Sequence, residues 1–306
     1  MKTMKTILVT GSNGLLGQKI TERTLQTKQF NLVATSKGAN RYPVKEGYTY
    51  AEMDILNPDQ VLQVIKKFKP DAIIHTAAMT NVDISHEQPE LAHELNVVAV
   101  QTLADIAASE NIQLVHLSTD FIFDGAAGPY DEEAEPNPLS HYGKTKLEGE
   151  QVVKSSNAHW VIIRTILVYG IVSDMSRSNI VLWAKGALES NKSINVVNDQ
   201  WRMPTLAEDL ADGCLLAVEK GAQGVFNISG KDMMSVSELV AEVADYWNLD
   251  KSMMNEISSA SLNQAAKRPV KTGFILDKAI KELGYNPRSF QEGLKILEQQ
   301  LKQRAL

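Results

Sequence analysis

Tyr142-Gly143-Lys144-Thr145-Lys146 places a phenol and an amine four residues apart, so on a helix the two side chains share a face. Pro138 and Ser140 just ahead are helix-start signals. A free tyrosine has a pKa of about 10 and is a poor acid–base catalyst at neutral pH. A neighbouring ammonium favours the phenolate and lowers that value, so a Tyr–Lys pair can exchange a proton with a substrate oxygen at about pH 7. An exposed pair with no chemical duty has the same spacing. What separates the two is the company the pair keeps.

That company begins at Thr10-Gly11-Ser12-Asn13-Gly14-Leu15-Leu16-Gly17. A short apolar run, Thr6-Ile7-Leu8-Val9, precedes it, and Leu15, Leu16, Ile20, Thr24 and Leu25 follow at helical spacing. The stretch therefore turns a buried strand into a helix. The N-terminus of such a helix has unpaired N–H groups and partial positive charge. Three glycines allow a tight turn, approach of backbone to a diphosphate, and close packing of helix on strand. The spacing is G-x-x-G-x-x-G rather than the commoner G-x-G-x-x-G, and it makes Gly11, Ser12, Asn13, Gly14, Leu15 and Gly17 candidates for holding a dinucleotide.

Both groups need elements to position them. Strands read at Asn31–Thr35, Thr49–Met53, Asp71–His75, Ile112–Leu117 and Val161–Arg164, with helices from Pro58 to Phe68, Pro89 to Ser109 and around Tyr142. Alternation of this kind implies parallel strands joined by right-handed crossovers: an α/β, Rossmann-like doubly wound sheet with helices on both faces. Ligands in such a sheet bind beyond the carboxyl ends of the strands. After the second strand come Ser36, Lys37 and Arg41, where hydroxyl and cationic groups suit the 2′-phosphate of NADP(H) better than the ribose of NAD(H), which stays open. After the third, Asp54 and Ile55 could clamp the adenine. After the fourth, Thr76-Ala77-Ala78 offers small side chains where the cofactor must lie close. After the fifth comes Ser118-Thr119-Asp120.

Past Arg164 the alternation is less clean. Residues 1–165 read as the dinucleotide-binding domain, with a returning segment near 196–220, and 166–306 mainly as a smaller, interleaved substrate-binding domain. Asn179–Leu188, Leu206–Val218 and Gln291–Leu301 read as helices, and so does Ser235–Trp247, opened by a capping box of Ser235 and Glu238. Arg177 is a candidate for a diphosphate. Trp201 and Arg202 read either as a stacking platform and phosphate grip or as core packing and an ion pair.

The 306 residues carry a formal net charge of -6, which argues against a broad basic face for nucleic acid. No apolar run reaches the ~18–20 residues needed to span a bilayer, and Met1–Lys5 passes straight into the first strand, so the expectation is a cytoplasmic protein. The six histidines lack metal-ligand spacing, and no metal is expected. The one cysteine, Cys214, reads as a buried thiol on a helix.

In this order, Gly11/Gly14/Gly17, Ser118-Thr119 and Tyr142/Lys146 resemble the pattern of the extended short-chain dehydrogenase/reductases, and the resemblance covers the whole chain. Within that superfamily, Ser118-Thr119-Asp120-Phe121-Ile122-Phe123-Asp124-Gly125 resembles the S-T-D-Y-V-F-x-G segment of the dTDP-4-dehydrorhamnose reductases. Thr80-Asn81-Val82-Asp83 with Glu87, Glu90, Ala92 and Asn96 resembles that family's loop and helix after the fourth strand. Arg164-Thr165-x-x-Val168-Tyr169-Gly170 resembles its nicotinamide-side segment, and Asn198-Asp199-Gln200-x-x-x-Pro204-Thr205 a substrate-domain motif. Two departures fall in the substrate region: Leu167 where Trp is frequent, and Arg268-Pro269-Val270-Lys271-Thr272 in place of Arg-Pro-x-Asn-Ser.

The resemblance implies an NADP(H)-preferring reductase of a nucleotide-linked 4-keto-deoxysugar. Tyr142 would protonate the carbonyl oxygen, Thr119 would hydrogen-bond it, and Lys146 would lower the tyrosine pKa and hold the nicotinamide ribose. It also implies cofactor contacts at Asn96, Ser118 and Thr165, substrate contacts at Thr80, Val82, Asp83 and Asp120, and allows a homodimer. The dehydratases of the superfamily carry Asp-Glu after the active-site threonine, whereas Asp120 is followed by Phe121. Two alternatives stay open: an epimerase or dehydratase, and a non-catalytic, cofactor-binding regulatory subunit like that of methionine adenosyltransferase, which resembles the same family.

Overall fold

A computed structural model of the protein describes residues 4–175, 178–262 and 265–304. Arg177 lies outside the described residues. The first half alternates strand and helix: β1 Thr6–Thr10, α1 Leu15–Thr27, β2 Asn31–Ser36, β3 Thr49–Glu52, α2 Pro58–Phe68, β4 Ala72–His75, α3 Val82–Glu87, α4 Pro89–His93, α5 Ala99–Ser109, β5 Gln113–Thr119, α6 His141–Ser155 and β6 His159–Thr165. The second half runs β7 Val168–Tyr169, α7 Ile180–Glu189, β8 Ile194–Val197, β9 Trp201–Arg202, β10 Thr205–Leu206, α8 Ala207–Lys220, β11 Gly224–Asn227, β12 Met234–Ser235, α9 Val236–Tyr246, β13 Met254–Ile257 and α10 Phe290–Arg304.

Seven strands form one parallel sheet in the order β11-β6-β5-β4-β1-β2-β3. The order reverses at β1 and β4, so the crevice of a doubly wound sheet opens beyond the ends of those strands. Successive residues face opposite sides. Ile7, Val9, Ile74, Val115 and Ile163 pack with α1 and α8 on one side, while Leu8, Ile73, Leu114 and Ile162 pack with α2 and α5 on the other. Because both faces are covered, the strands read as unbroken apolar runs rather than alternating ones. Cys214 is buried on α8, its thiol pushed up by burial.

Local chemistry sets several boundaries. The Asn57 side chain accepts from Gln60 N at 3.1 Å with Pro58 at the first turn of α2. Ser235 and Glu238 close a reciprocal capping box at α9. The helix expected over Pro89–Ser109 is instead α4 and α5 joined by a π-turn at Glu94–Val98. Asn96 in that turn is fully buried, accepts from Met79 N (3.0 Å) and donates to Met79 O (3.0 Å) and Thr145 Oγ1 (3.1 Å). Those tertiary bonds outweigh the regular helix, in keeping with the tendency of π-turns to lie near functional sites.

The return of the chain extends beyond residue 220. α8 lies against α1, and β11 adds to the sheet edge beside β6. A separate core joins α7, α9, α10 and β8 through Val181, Leu188, Ile194, Leu239, Val243 and Leu294.

Candidate active site

The turn after β1 takes the form its glycines allow. Gly11 has φ +67°, and a Cβ there would stand 2.8 Å from Ala77 N. A Cβ on Gly17 would overlap Gly11 O and Ser12 Cα, so the third glycine lets α1 pack against the turn. Gly14 is the N-cap residue of α1. It contributes no side-chain cap, and the first turn holds no acidic residue. The N–H groups of that turn therefore stand unpaired by side chains at the mouth of a cleft, with the buried Ser12 hydroxyl beside them lacking a partner.

The cleft has a volume of about 940 Å³ and lies beyond the strand ends. From the turn, Gly11, Asn13, Gly14 and Leu15 line it. Ser36, Lys37, Arg41, Asp54 and Ile55 line its far end, and Thr76, Ala77 and Ala78 its floor. Ser118, Thr119, Tyr142, Lys146 and Thr165 line the middle, with Thr80, Val82, Asp120 and Arg202 beyond them. Leu91, Leu95, Leu117, Gln200 and Arg268 also line it, although sequence reasoning gave none of them a role of its own. Leu91 and Leu95 stand one turn apart, a spacing that signals core as readily as a cleft wall. Gln200, as a member of the substrate-domain motif, and Arg268, as the first residue of the departed Arg-Pro segment, carried the usable signals.

Five expected residues are not in the wall. Gly17 lies where α1 packs against the turn, and Ser12 is buried within the turn. Asn96 is buried behind the cleft and tied to Met79 and Thr145. Asp83 is held by Arg268 Nη2 at 2.7 Å. Trp201 acts through its backbone, which accepts from Thr272 N (3.1 Å) and donates to Val270 O (2.8 Å), rather than as a stacking ring in the cleft.

Arg202 reaches the cleft, and of the two readings left open for it, phosphate grip or buried ion pair, its contacts are those of the second. It donates to Trp201 O (2.7 Å), Pro269 O (2.7 Å), Val270 O (3.2 Å) and Gln200 Oε1 (3.4 Å), and Nε lies 3.9 Å from Asp120 Oδ2. It pins the 269–271 segment. That segment in turn aims Thr272, whose buried hydroxyl donates to Asp120 Oδ2. Burial raises the Asp120 carboxyl above its ordinary value against the pull of Arg202, Thr272 and Thr119. Asp120 Oδ1 accepts from Thr119 Oγ1 at 3.1 Å, and that oxygen accepts from Phe121 N at 3.2 Å.

At the adenosine end, Lys37 Nζ pairs with Asp54 Oδ2 at 2.8 Å. Arg41 is laid across the glycine turn: its N–H donates to Asn13 Oδ1 (2.8 Å), its guanidinium to Asn13 O (3.3 Å), and it pairs with Asp174 at 3.4 Å.

Tyr142 and Lys146 both sit on α6, whose N-cap Ser140 accepts from Gly143 N at 3.1 Å. The Tyr142 ring is buried and packs edge-on to Phe121, 5.7 Å between centroids. The expected lowering of its pKa by Lys146 is not found. Burial pushes the phenol up to about 12, Thr119 pulling it back in part and Asp120 adding a smaller rise. Lys146 Nζ instead donates to Leu117 O at 2.6 Å and lies 3.5 Å from His116 Nε2. Burial brings the lysine down to about 8, against the charge of Glu150 one turn on.

At neutral pH this is a protonated phenol, a largely charged ammonium and an oriented hydroxyl in one wall. Such a set can deliver a proton to an oxygen and stabilise the anion left behind. Among the described residues, no three His, Cys, Asp or Glu side chains cluster to hold a metal, and no helix is long and apolar enough to cross a membrane.

The RmlD substrate binding domain family matches residues 4–303. Methionine adenosyltransferase 2 subunit beta of Xenopus tropicalis is 34% identical over 294 residues, spanning 94% of this chain and 85% of that protein. The solved dTDP-4-dehydrorhamnose reductase of Bacillus anthracis, in complex with NADP, superposes with a TM-score of 0.84 at 26% identity, covering 97% of this chain and 100% of that one. The dTDP-4-dehydrorhamnose reductase ortholog of Clostridium acetobutylicum gives 0.82 at 30% identity, covering 97% and 99%.

Proposed function

Since the chain belongs to the RmlD substrate binding domain family, we propose that it is an NADP(H)-preferring reductase of a nucleotide-linked 4-keto-deoxysugar, close in activity to the dTDP-4-dehydrorhamnose reductases. The observation that carries this reading is one cleft walled both by an uncapped helix N-terminus and by Tyr142, Lys146 and Thr119. We take residues 1–165, with the returning chain, as the nucleotide end and most of 166–306 as the sugar end. A dinucleotide fits the first of these: unpaired N–H groups of α1, the orphaned Ser12 hydroxyl and the close backbone of Ala77 suit a diphosphate.

A reduced nicotinamide held in this cleft would supply the hydride for the keto carbon. The chain's own residues do the rest. Tyr142 gives its phenolic proton to the carbonyl oxygen, so that alcohol and oxidised cofactor result. Thr119 turns its hydroxyl from Asp120 to the same oxygen and holds it in line. Lys146 stabilises the phenolate that remains. Its ammonium is lost as pH rises through about 8, so the rate should fall on that alkaline limb. Tyr142, up at about 12, keeps its proton across this range.

Ser36 and Arg41 support the preference for NADP(H) at the end of β2. Arg41→Ala should raise KM for NADPH about tenfold or more and change KM for NADH little, as the loss of one charge-assisted phosphate contact implies.

A second reading has a specific observation behind it. The beta-subunit relative is more identical in sequence than either reductase structure above. A cofactor-binding regulatory subunit would bind NADP(H), reduce nothing, and co-purify with or alter a methionine adenosyltransferase catalytic subunit. Loss of NADPH absorbance across a panel of nucleotide-linked 4-keto sugars, set against that pull-down, decides between them.

A further inference from the structure

Two buried histidines have no place in the reaction above. His75 on β4 and His116 on β5 are register partners. Their rings stack with centroids 5.7 Å apart and planes 23° from parallel. Thr10 Oγ1 accepts from Ala77 N (3.3 Å) and is hydrogen-bonded to His75 Nδ1 at 2.8 Å. His116 presents Nε2 to Lys146 Nζ at 3.5 Å. Helix α6 comes close at this point because residue 149 is glycine: a Cβ there would stand 3.5 Å from His116 Nε2 and 2.6 Å from Asn96 O.

The arrangement fixes the tautomer. An ammonium has donors and no acceptor, so His116 must accept through Nε2 and carry its proton on Nδ1. Nδ1 is buried and has no partner. The fold therefore tolerates an orphaned donor while aiming the acceptor side of the ring at Lys146. The neutral state suits the surroundings: burial, then the Lys146 charge, then His75, hold His116 well below the ordinary histidine range. Burial and Lys146 likewise bring His75 down to about 3.

We propose that His116 is a positioning residue for Lys146: its neutral imidazole and Leu117 O together take two of the three ammonium protons from beneath and direct the third toward the reacting end of the cleft. The proposal rests on the reductase reading for its consequence, though not for its geometry. The other charged or titratable groups acting at this point are His75 from β4, stacked on His116, and Glu150 from α6, whose charge acts on Lys146 and which is itself bound by Arg164 from β6. The π-turn before α5 contributes the neutral Asn96.

Two variants separate the acceptor from the ring. His116→Phe keeps an aromatic face against His75 and removes the acceptor. His116→Gln loses the ring and keeps an acceptor. The first readout is the Lys146 titration in lysine-labelled protein by NMR, which needs no substrate. Removing a neutral acceptor disfavours the ammonium, so His116→Phe should lower the Lys146 pKa by about one unit, and His116→Gln should restore most of it. The second is the pH profile of NADPH oxidation, whose alkaline limb should move down with the titration in His116→Phe. Thermal melting reports folding of both variants.

A Lys146 titration unchanged in folded His116→Phe overturns the proposal, as does an equal shift in both variants. If His116→Phe does not fold, His116→Leu takes its place as the variant without an acceptor, and an unchanged Lys146 titration in it likewise overturns the proposal. A titration that shifts as expected in a protein that reduces no keto sugar overturns the reductase reading alone.

Discussion

Tyr142→Phe should bind NADPH as tightly as the parent protein and lose roughly 10²–10⁴-fold in kcat for keto-sugar reduction, the range expected when a positioned proton donor is removed. The substitution is conservative in every other respect. The ring is buried and held edge-on by Phe121, contacts that phenylalanine keeps. The hydroxyl is protonated throughout the working range, because burial holds it up at about 12. It is therefore placed as an acid, not as a base awaiting activation. Single-turnover NADPH oxidation with saturating substrate measures the loss, and cofactor fluorescence measures binding. A variant within a few-fold of the parent would remove Tyr142 from the chemistry.

The second large effect concerns stability. Glu150 and Arg164 form a fully buried pair: Nε to Oε1 is 3.0 Å and Nη2 to Oε2 is 2.9 Å. Lys154 adds a contact at 3.3 Å from the surface side, and Arg164 Nη1 donates to Glu132 O at 3.0 Å. Glu150→Ala leaves the guanidinium buried without its counter-charge and should cost about 3–5 kcal/mol in denaturant unfolding. Replacing both partners with apolar residues of similar volume should recover most of that. The pH dependence follows from the direction of the shift. Burial alone would raise the Glu150 carboxyl, but Arg164, joined by Ser118 and Lys154, outweighs it and the net pKa is lowered. The pair's stabilisation is therefore complete above the ordinary glutamate value of about 4.3 and is lost as pH falls through the lower, folded value. Glu150 also holds the Lys146 pKa up. Glu150→Gln should thus move the alkaline limb of the rate to lower pH, which links the stability device to the chemistry.

How much of this was legible in the sequence depends on the range of the interactions. Six of the seven sheet strands were readable as members of the sheet because strands such as Ala72–His75 are covered on both faces and so carry continuous apolar runs, whereas β11 joins the edge only through its distant pairing with β6. Asn57-Pro58 and Ser235/Glu238 were readable because capping is local. Two-residue strands such as Trp201–Arg202 have no period to detect and exist through pairing with Met234–Ser235. The same limit governs the site. Glycine spacing and the Tyr–Lys interval are local and announce themselves. Arg202 reads equally as a phosphate ligand or a buried ion pair until distant carbonyls at Pro269 and Val270 are seen to hold it. Lys146 reads as the tyrosine's partner, but Leu117 O and His116, which hold it from beneath, come from a strand that the Tyr–Lys spacing does not reveal. Asn96 reads as a cofactor contact until its bonds to Met79 and Thr145 appear. In each case burial and a partner far away in sequence decide what a polar side chain does.

The most direct measurement follows the hydride itself. The protein is incubated with NADPH carrying deuterium at the transferable position of nicotinamide C4 and with a dTDP-linked 4-keto-6-deoxysugar, and the product is examined by mass and NMR. The expected result is one deuterium on sugar C4, formed in step with NADPH loss by the parent protein and not by Tyr142→Phe. Tight NADPH binding with no label in any sugar, alongside capture of a methionine adenosyltransferase catalytic subunit, would contradict it.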